Sequence, residues 1–125
     1  MKSWIIGTAG VFGALSRYGL SVLWNEGNGS FPWGTLACNM IGCILLGYFS
    51  EALLPKWPQE LRTAVTTGFI GAFTTFSTFS METVRMLRDN QVPAALLYIG
   101  VSLLGGLAAV SLGTAAAHRR KEKAL

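Results

Sequence analysis

One stretch of the chain, residues 68–80, places helix-weakening and hydrogen-bonding residues inside a long apolar segment. It reads GFIGAFTTFSTFS and holds two glycines, five hydroxyl side chains and four phenylalanine rings. Glycine weakens a helix, and Thr74 and Thr75 can bond backbone groups that a break sets free. Broken backbone at membrane depth is tolerated only where protein buries it or water reaches it. The stretch therefore predicts either a packing seam between helices or a path for an ion or solute.

The polar groups expected at membrane depth are mostly donors with little formal charge. They come from Asn39, Thr75, Thr78 and Ser102, and phenylalanine rings add edges that carry partial positive charge. Such edges, with hydroxyl and amide protons, can replace the water around a small, hard anion. A cation pore would instead favour rings of carbonyl or carboxylate groups. These residues indicate a pathway for a small anion.

Several of these residues also have a simpler structural interpretation. Asn39 can form an interhelical hydrogen bond, typically worth about 0.6 kcal/mol, or present its amide to a permeating anion. Arg17 can extend to the lipid head groups or act as a cation at the mouth of an anion pathway. Glu82 shares a helix face with Thr78 and can pair with Arg85 three residues later. The sequence alone leaves these alternatives open.

The composition is that of a membrane protein. Of 125 residues, 51% are hydrophobic and 13% are charged, with a mean hydropathy of +0.45, whereas soluble domains carry roughly 25% charged residues. Four apolar segments are near the roughly 20 residues needed to cross a bilayer, at about 4–24, 33–54, 61–88 and 93–117. We predict an all-α, multi-pass membrane protein whose 125 residues form one four-helix domain, with the third helix broken near its middle.

The charges and reactive side chains exclude several functions. Five of the ten Lys and Arg residues are Lys2 and members of the tail at 118–125, which we expect to be mobile. This pattern flanks a membrane and is not a nucleic-acid surface. His118 lies in that tail, and no nucleophile–base pair or carboxylate pair lies at membrane depth, so we predict no enzyme. Cys38 and Cys43 make no recognised metal spacing and are interpreted as small apolar side chains.

Small residues recur at helical spacing in three of the segments. They include Gly10 with Ala14, a Gly34–Cys38–Gly42 stripe, and a Gly105–Ala109–Gly113 stripe. Such stripes let helix backbones approach closely in lipid. Four helices of this kind bury little by themselves, so we predict an oligomer, most simply a symmetric homodimer.

Three motifs closely resemble the signature of the Fluc (CrcB) family of fluoride channels. They are GAFTTFSTF at 71–79, GALSRY at 13–18 and GTLACNMIG at 34–42, and the resemblance covers residues 4–115. It implies an antiparallel, dual-topology homodimer with two fluoride pores. It also implies passive export of fluoride across the microbial inner membrane.

The resemblance also implies roles for individual residues. Two phenylalanines that contact fluoride match Phe76 and Phe79, and carbonyls that hold a structural sodium ion at the dimer centre match Gly71 and Thr74. A track of hydroxyl groups on the fourth helix matches Tyr98 and Ser102. With the residues discussed above, the predicted fluoride pathway comprises Arg17, Asn39, Thr75, Phe76, Thr78, Phe79, Glu82, Tyr98 and Ser102.

The alternative is a small, dimeric, proton-coupled multidrug exporter. That class needs a membrane-embedded carboxylate in its first helix, and residues 4–24 contain none. A structural subunit is a third possibility but leaves the Phe-Thr motif unexplained.

The distribution of positive charge bears on the membrane topology. The side that carries both termini has seven Lys and Arg residues and the other side has three; without the tail, each side has three. Dual insertion needs near balance and therefore requires that the tail weigh little.

Overall fold

A computed structural model describes residues 3–24 and 31–124, and these are helical with no strand among them. The elements are α1 (Ser3–Trp24), α2 (Trp33–Ala52), a 3₁₀ turn (Leu54–Lys56), α3 (Gln59–Thr63), a π-helical segment (Ala64–Ile70), α4 (Gly71–Phe73), α5 (Ser77–Arg88) and α6 (Val92–Ala124). The all-α prediction is confirmed. Residues 25–30, between the first and second apolar segments, lie outside the described residues.

Three helices of the described part are long and apolar enough to cross a membrane: Ser3–Trp24, Trp33–Ala52 and Val92–Lys123. The first begins and ends within a residue of its predicted bounds. The second ends at Ala52, two residues early, because Pro55 follows closely and cannot continue it. The last continues to Ala124, past the end predicted at 117, because the residues there are good helix formers without glycine or proline.

The third apolar segment consists of shorter elements. Its helical hydrogen bonding changes to the wider π type over Ala64–Ile70, and α4 ends at Phe73. Thr74 is then extended, with φ −85° and ψ 159°, before α5 begins at Ser77. No element of this segment is by itself long enough to span a bilayer, which is why only three single helices meet that criterion.

Glycine allows α1 to touch the π-helical segment through the backbone. A Cβ added at Gly13 would overlap the carbonyl of Phe69, and one added at Gly68 would lie 2.6 Å from the carbonyl oxygen of Ile6. Gly13 is correspondingly buried within α1. The small residues of the first segment therefore fix the position of the third segment, just before its break.

The helices α2 and α6 run parallel and form the most extensive contact of the molecule. Leu36 shares a buried cluster with Tyr98, and a Cβ at Gly105 would lie 3.0 Å from the sulfur of Met40. Further along, a Cβ added at Gly113 would lie 2.9 Å from the amide nitrogen of Tyr48. The contacts between the two parallel helices determine which α6 side chains lie level with which residues of α2.

The turn between α5 and α6 is closed by backbone hydrogen bonds around a left-handed residue. Asn90 adopts a left-handed conformation with φ 58°, which asparagine tolerates better than most residues. The N–H of Gln91 donates to the carbonyl of Met86 at 2.8 Å, and that of Asn90 to the carbonyl of Leu87 at 3.3 Å. This pattern is a Schellman C-cap. It turns the chain so that α6 returns beside α5.

Candidate functional site

A groove of about 310 Å³ opens between α2, the break in the third segment and α6. Five of the nine predicted pathway residues line it: Asn39, Thr75, Phe76, Phe79 and Ser102. Most of its remaining surface is apolar. The structure therefore brings together, from three separate segments, five of the polar and aromatic groups that the sequence singled out.

Two hydrogen bonds join Asn39 of α2 to the backbone of Thr75. The Asn39 amide nitrogen donates to the carbonyl oxygen of Thr75 at 3.0 Å, and the Thr75 N–H donates to the Asn39 amide oxygen at 2.8 Å. One side chain thus satisfies both backbone groups of a residue that lies outside any helix. Because an amide NH₂ has two protons, one remains for another acceptor.

The hydroxyl groups at the break bond mainly to nearby atoms of the same segment. The Thr75 hydroxyl accepts from the N–H of Thr78 at 3.1 Å and lies 3.3 Å from the Ser77 hydroxyl oxygen. The Thr74 hydroxyl donates to the carbonyl of Ile70 at 2.9 Å. These contacts cap the start of α5 and the end of α4, a role that hydroxyl side chains fill at helix ends.

The hydrogen bonds at the break also leave the carbonyls of Gly71 and Thr74 without the N–H donors that a helix would give them. In a continuous α-helix these carbonyls accept from the N–H groups of Thr75 and Thr78, four residues later. Here the first donates to Asn39 and the second to the Thr75 hydroxyl. The described residues contain no group of three or more His, Cys, Asp or Glu side chains suited to a metal. A cation at this break would therefore rest on backbone oxygens.

Aromatic rings form a row along the groove. Phe76 is 78% exposed, and its ring centroid lies 5.8 Å from that of Phe79. The Phe79 ring lies 5.0 Å from that of Tyr98, whose other neighbour is Phe31 at 5.4 Å. Phe76 is therefore open to its surroundings, while Tyr98, the third ring of the row, is buried.

Tyr98 and Glu82 form a buried pair behind this row. The Tyr98 hydroxyl donates to a Glu82 carboxylate oxygen at 3.1 Å, and the residues are 0% and 7% exposed. Among the described residues, the ion pairs within 4.0 Å involve other side chains, so the pairing of Glu82 with Arg85, which the sequence left open as an alternative, is not among them. Thr35, 1% exposed, lies against both groups. Sequence reasoning missed Thr35, although it precedes Asn39 by one helical turn.

Ser102 lines the groove, whereas Thr78 and Arg17 do not. The Ser102 hydroxyl oxygen is buried and, within the described part of the chain, has no hydrogen-bond partner. Thr78 lines a second, more polar groove with Glu82, Arg85 and other residues of α5. Arg17 is half-buried on α1 and lines neither groove, and its carbonyl lies 3.9 Å from the Cys38 sulfur. The structure does not bring Arg17 to the aromatic row.

Residues 4–114 match the protein family described as CrcB-like protein, Camphor Resistance (CrcB). The chain is 48% identical over 121 residues to the fluoride-specific ion channel FluC 2 of Geobacillus kaustophilus, which covers 94% of both chains. It is 47% identical over 115 residues to FluC 1 of Bacillus cereus, covering 87% of this chain and 78% of the relative. It is 48% identical over 108 residues to FluC of Bordetella petrii, covering 85% and 83%.

The Asn39–Thr75 pair predicts different effects for two substitutions of Asn39. Asn39→Leu removes both hydrogen bonds and leaves two backbone groups of Thr75 unpaired, so we expect it to lower the free energy of unfolding by about 2–4 kcal/mol. Asn39→Asp keeps an acceptor for the Thr75 N–H and should cost less. Denaturation in mixed detergent micelles, followed by circular dichroism, measures both. Equal stability of Asn39→Leu and the parent protein would contradict this role.

Proposed function

Because the chain belongs to the CrcB-like protein family, we propose that it is a fluoride-selective channel that exports fluoride passively. The observation that carries the proposal is the groove itself, where Asn39, Ser102 and two phenylalanine rings meet without a fixed charge. Relatives that cover most of the chain are named fluoride-specific ion channels. We place the channel in the microbial inner membrane, where it lowers cytoplasmic fluoride.

The groove offers groups that could take over fluoride's hydration shell. Asn39 keeps one amide proton beyond its bond to Thr75, and the buried Ser102 hydroxyl has its own proton to donate. The edges of Phe76 and Phe79 add partial positive charge. Conduction requires binding that is favourable enough for entry and weak enough for exit. Uncharged donors meet that requirement better than a fixed cation would.

Glu82 is compatible with an anion pathway because of its partner. Its carboxylate accepts a hydrogen bond from Tyr98 and is 7% exposed. The Tyr98 ring in turn packs on Phe79, so the carboxylate lies behind the aromatic row. We propose that Glu82 positions Tyr98, and that Thr78 and Arg17 serve the approaches to the pore.

The exporter alternative is not supported by the first helix. Its sequence, from Ser3 to Trp24, contains no acidic residue that could exchange protons. A channel needs no such group. Passive flux is therefore the simpler mechanism for this set of side chains.

We propose that two copies assemble as an antiparallel homodimer, with the third segment crossing the membrane in two parts. A second copy would cover the Phe76 ring, which is 78% exposed beside the break. The extended backbone at Thr74 supports a break at membrane depth. Broken backbone there must be covered by protein or reached by water.

We also propose a structural sodium ion at the dimer centre, held by the carbonyls of Gly71 and Thr74. The redirected N–H groups of Thr75 and Thr78 support this, because they leave these carbonyls without their helical donors. A hard cation suits oxygen ligands. Two copies related by a two-fold axis would each supply the same pair of oxygens. The ion would offset unpaired carbonyl dipoles in an apolar setting and would not be transported.

Ion efflux from liposomes tests both the selectivity for fluoride and the role of the Phe76 and Phe79 rings. Liposomes containing only this protein should release fluoride without a proton gradient and retain chloride. Phe76→Ile and Phe79→Ile keep apolar bulk but lose the ring edge, so we expect at least about a tenfold fall in fluoride flux, equivalent to about 1.4 kcal/mol. A fluoride electrode measures the efflux.

The control for these variants is Phe12→Ile on α1, whose ring is exposed and does not line the groove. It should conduct normally. Only variants that match the parent protein in gel filtration are compared. Near-normal flux in both groove variants would make the rings packing residues, and chloride efflux comparable to fluoride efflux would contradict the proposed selectivity.

The sodium site predicts ion-specific stabilisation. Replacing sodium by N-methyl-D-glucamine should lower the thermal stability of the purified protein. Thr75→Val should weaken this sodium dependence, because without the hydroxyl the first turn of α5 loses its cap and the Thr74 carbonyl is held less firmly. Thr83→Val is the control, since that hydroxyl bonds the carbonyl of Phe79 within α5. Stability that is identical in the two salts would count against the site.

Dual insertion predicts labelling of the C-terminus from both sides of the membrane. The variant carries Leu125→Cys in a background where Cys38 and Cys43 are replaced. Intact cells treated with an impermeant maleimide should show partial labelling, which rises to completion after permeabilisation. Complete labelling, or none, in intact cells would indicate a single orientation.

A further inference from the structure

The last turns of α6 carry basic side chains beyond the end of α2. α6 has 33 residues, so it is about 50 Å long, whereas a bilayer's hydrocarbon core is about 30 Å thick. α2, with 20 residues, matches that thickness. Because the two helices are parallel and Glu51 at the end of α2 lies beside Lys121, the final turns of α6 lie at the level of the lipid head groups.

Two of the cations on these turns are held by α2. Arg120 donates a hydrogen bond to the Tyr48 hydroxyl, and its guanidinium carbon lies 6.0 Å from the centroid of that ring. The Lys121 ammonium lies 3.8 Å from the Glu51 carboxylate, which His118 also approaches at 3.7 Å. These contacts fix the rotation of the helix end against α2. They therefore also decide which residues face away from the bundle.

Arg119 and Lys123 are exposed and lie four residues apart, so they share one face of the helix. Both ion pairs found within 4.0 Å in the described part of the chain use Glu51, and neither includes Arg119 or Lys123. The same end of the bundle carries Lys56 and Trp57, with the Trp57 ring 6.3 Å from that of Phe49. Tryptophan favours the membrane interface. This end therefore presents free positive charge where lipid phosphates lie.

We propose that Arg119 and Lys123 form a binding site for the head group of an anionic phospholipid such as phosphatidylglycerol. The guanidinium can bind a phosphate through two parallel hydrogen bonds, and the ammonium one turn later adds a second positive charge. A zwitterionic head group carries no net charge to match this pair. The site is separate from the groove and does not depend on fluoride conduction.

The experiment measures lipid binding to the purified full-length protein in detergent micelles by native mass spectrometry. Dioleoyl phosphatidylglycerol and dioleoyl phosphatidylcholine are titrated in parallel. A basic residue near an anionic surface contributes about 1 kcal/mol, or about fivefold in affinity. We therefore expect Arg119→Gln and Lys123→Gln to weaken phosphatidylglycerol binding about fivefold each and about 25-fold together. Arg119→Lys should retain most of it.

The matched control is Arg85→Gln with Arg88→Gln, which removes the same charge from α5 at the other end of α6. It should leave phosphatidylglycerol binding within about twofold of the parent protein. Each variant is first compared with the parent by gel filtration, and the single variants decide the result if the double variant fails to fold. Equal binding of the two lipids, unchanged binding in the double variant, an equal loss in the control, or displacement by soluble glycerol phosphate at lipid-like concentrations would each overturn the proposal.

Discussion

The paired hydrogen bonds between Asn39 and Thr75 are the constraint on which the site depends. The chain leaves helical geometry at Thr74, and the backbone groups of Thr75 then need partners in an apolar setting. A single amide on α2 supplies both, at 3.0 and 2.8 Å. Without it, the N–H and the carbonyl of Thr75 would lack partners in that setting, which costs free energy.

The rest of the bundle holds that amide at the correct height. Glycines on α2 and α6 bring the parallel helices close, and this contact places Ser102 and Tyr98 opposite the break. On the other side, Gly13 lets α1 press against the segment just before it. The site is therefore formed by uncharged contacts. Close packing of the helix backbones positions its side chains more than ionic attraction does.

The sequence predicted much of this arrangement. The helical class and the approximate apolar segments followed from hydropathy and segment length, and five predicted pathway residues do line one groove. Residue types alone could not distinguish an Asn39 that contacts an ion from one that bonds the Thr75 backbone, since an amide can do both. They also offered Arg85 as a partner of Glu82, because neighbours along a helix are visible in a sequence. Tyr98, sixteen residues away, is brought there only by the Schellman turn at Asn90.

The π-helical segment Ala64–Ile70 has a genetic consequence. A substitution there changes individual contacts. Gaining or losing one codon instead rotates all preceding residues of the third segment about the helix axis, relative to Thr75. One residue is a rotation of about 100° in an α-helix. Such a shift would carry Gly68 away from Ile6 while Asn39 still held Thr75 in place. Single-residue insertions and deletions between Gln59 and Thr74 should therefore be less tolerated than point substitutions at positions other than Gly68, Gly71 and Thr74.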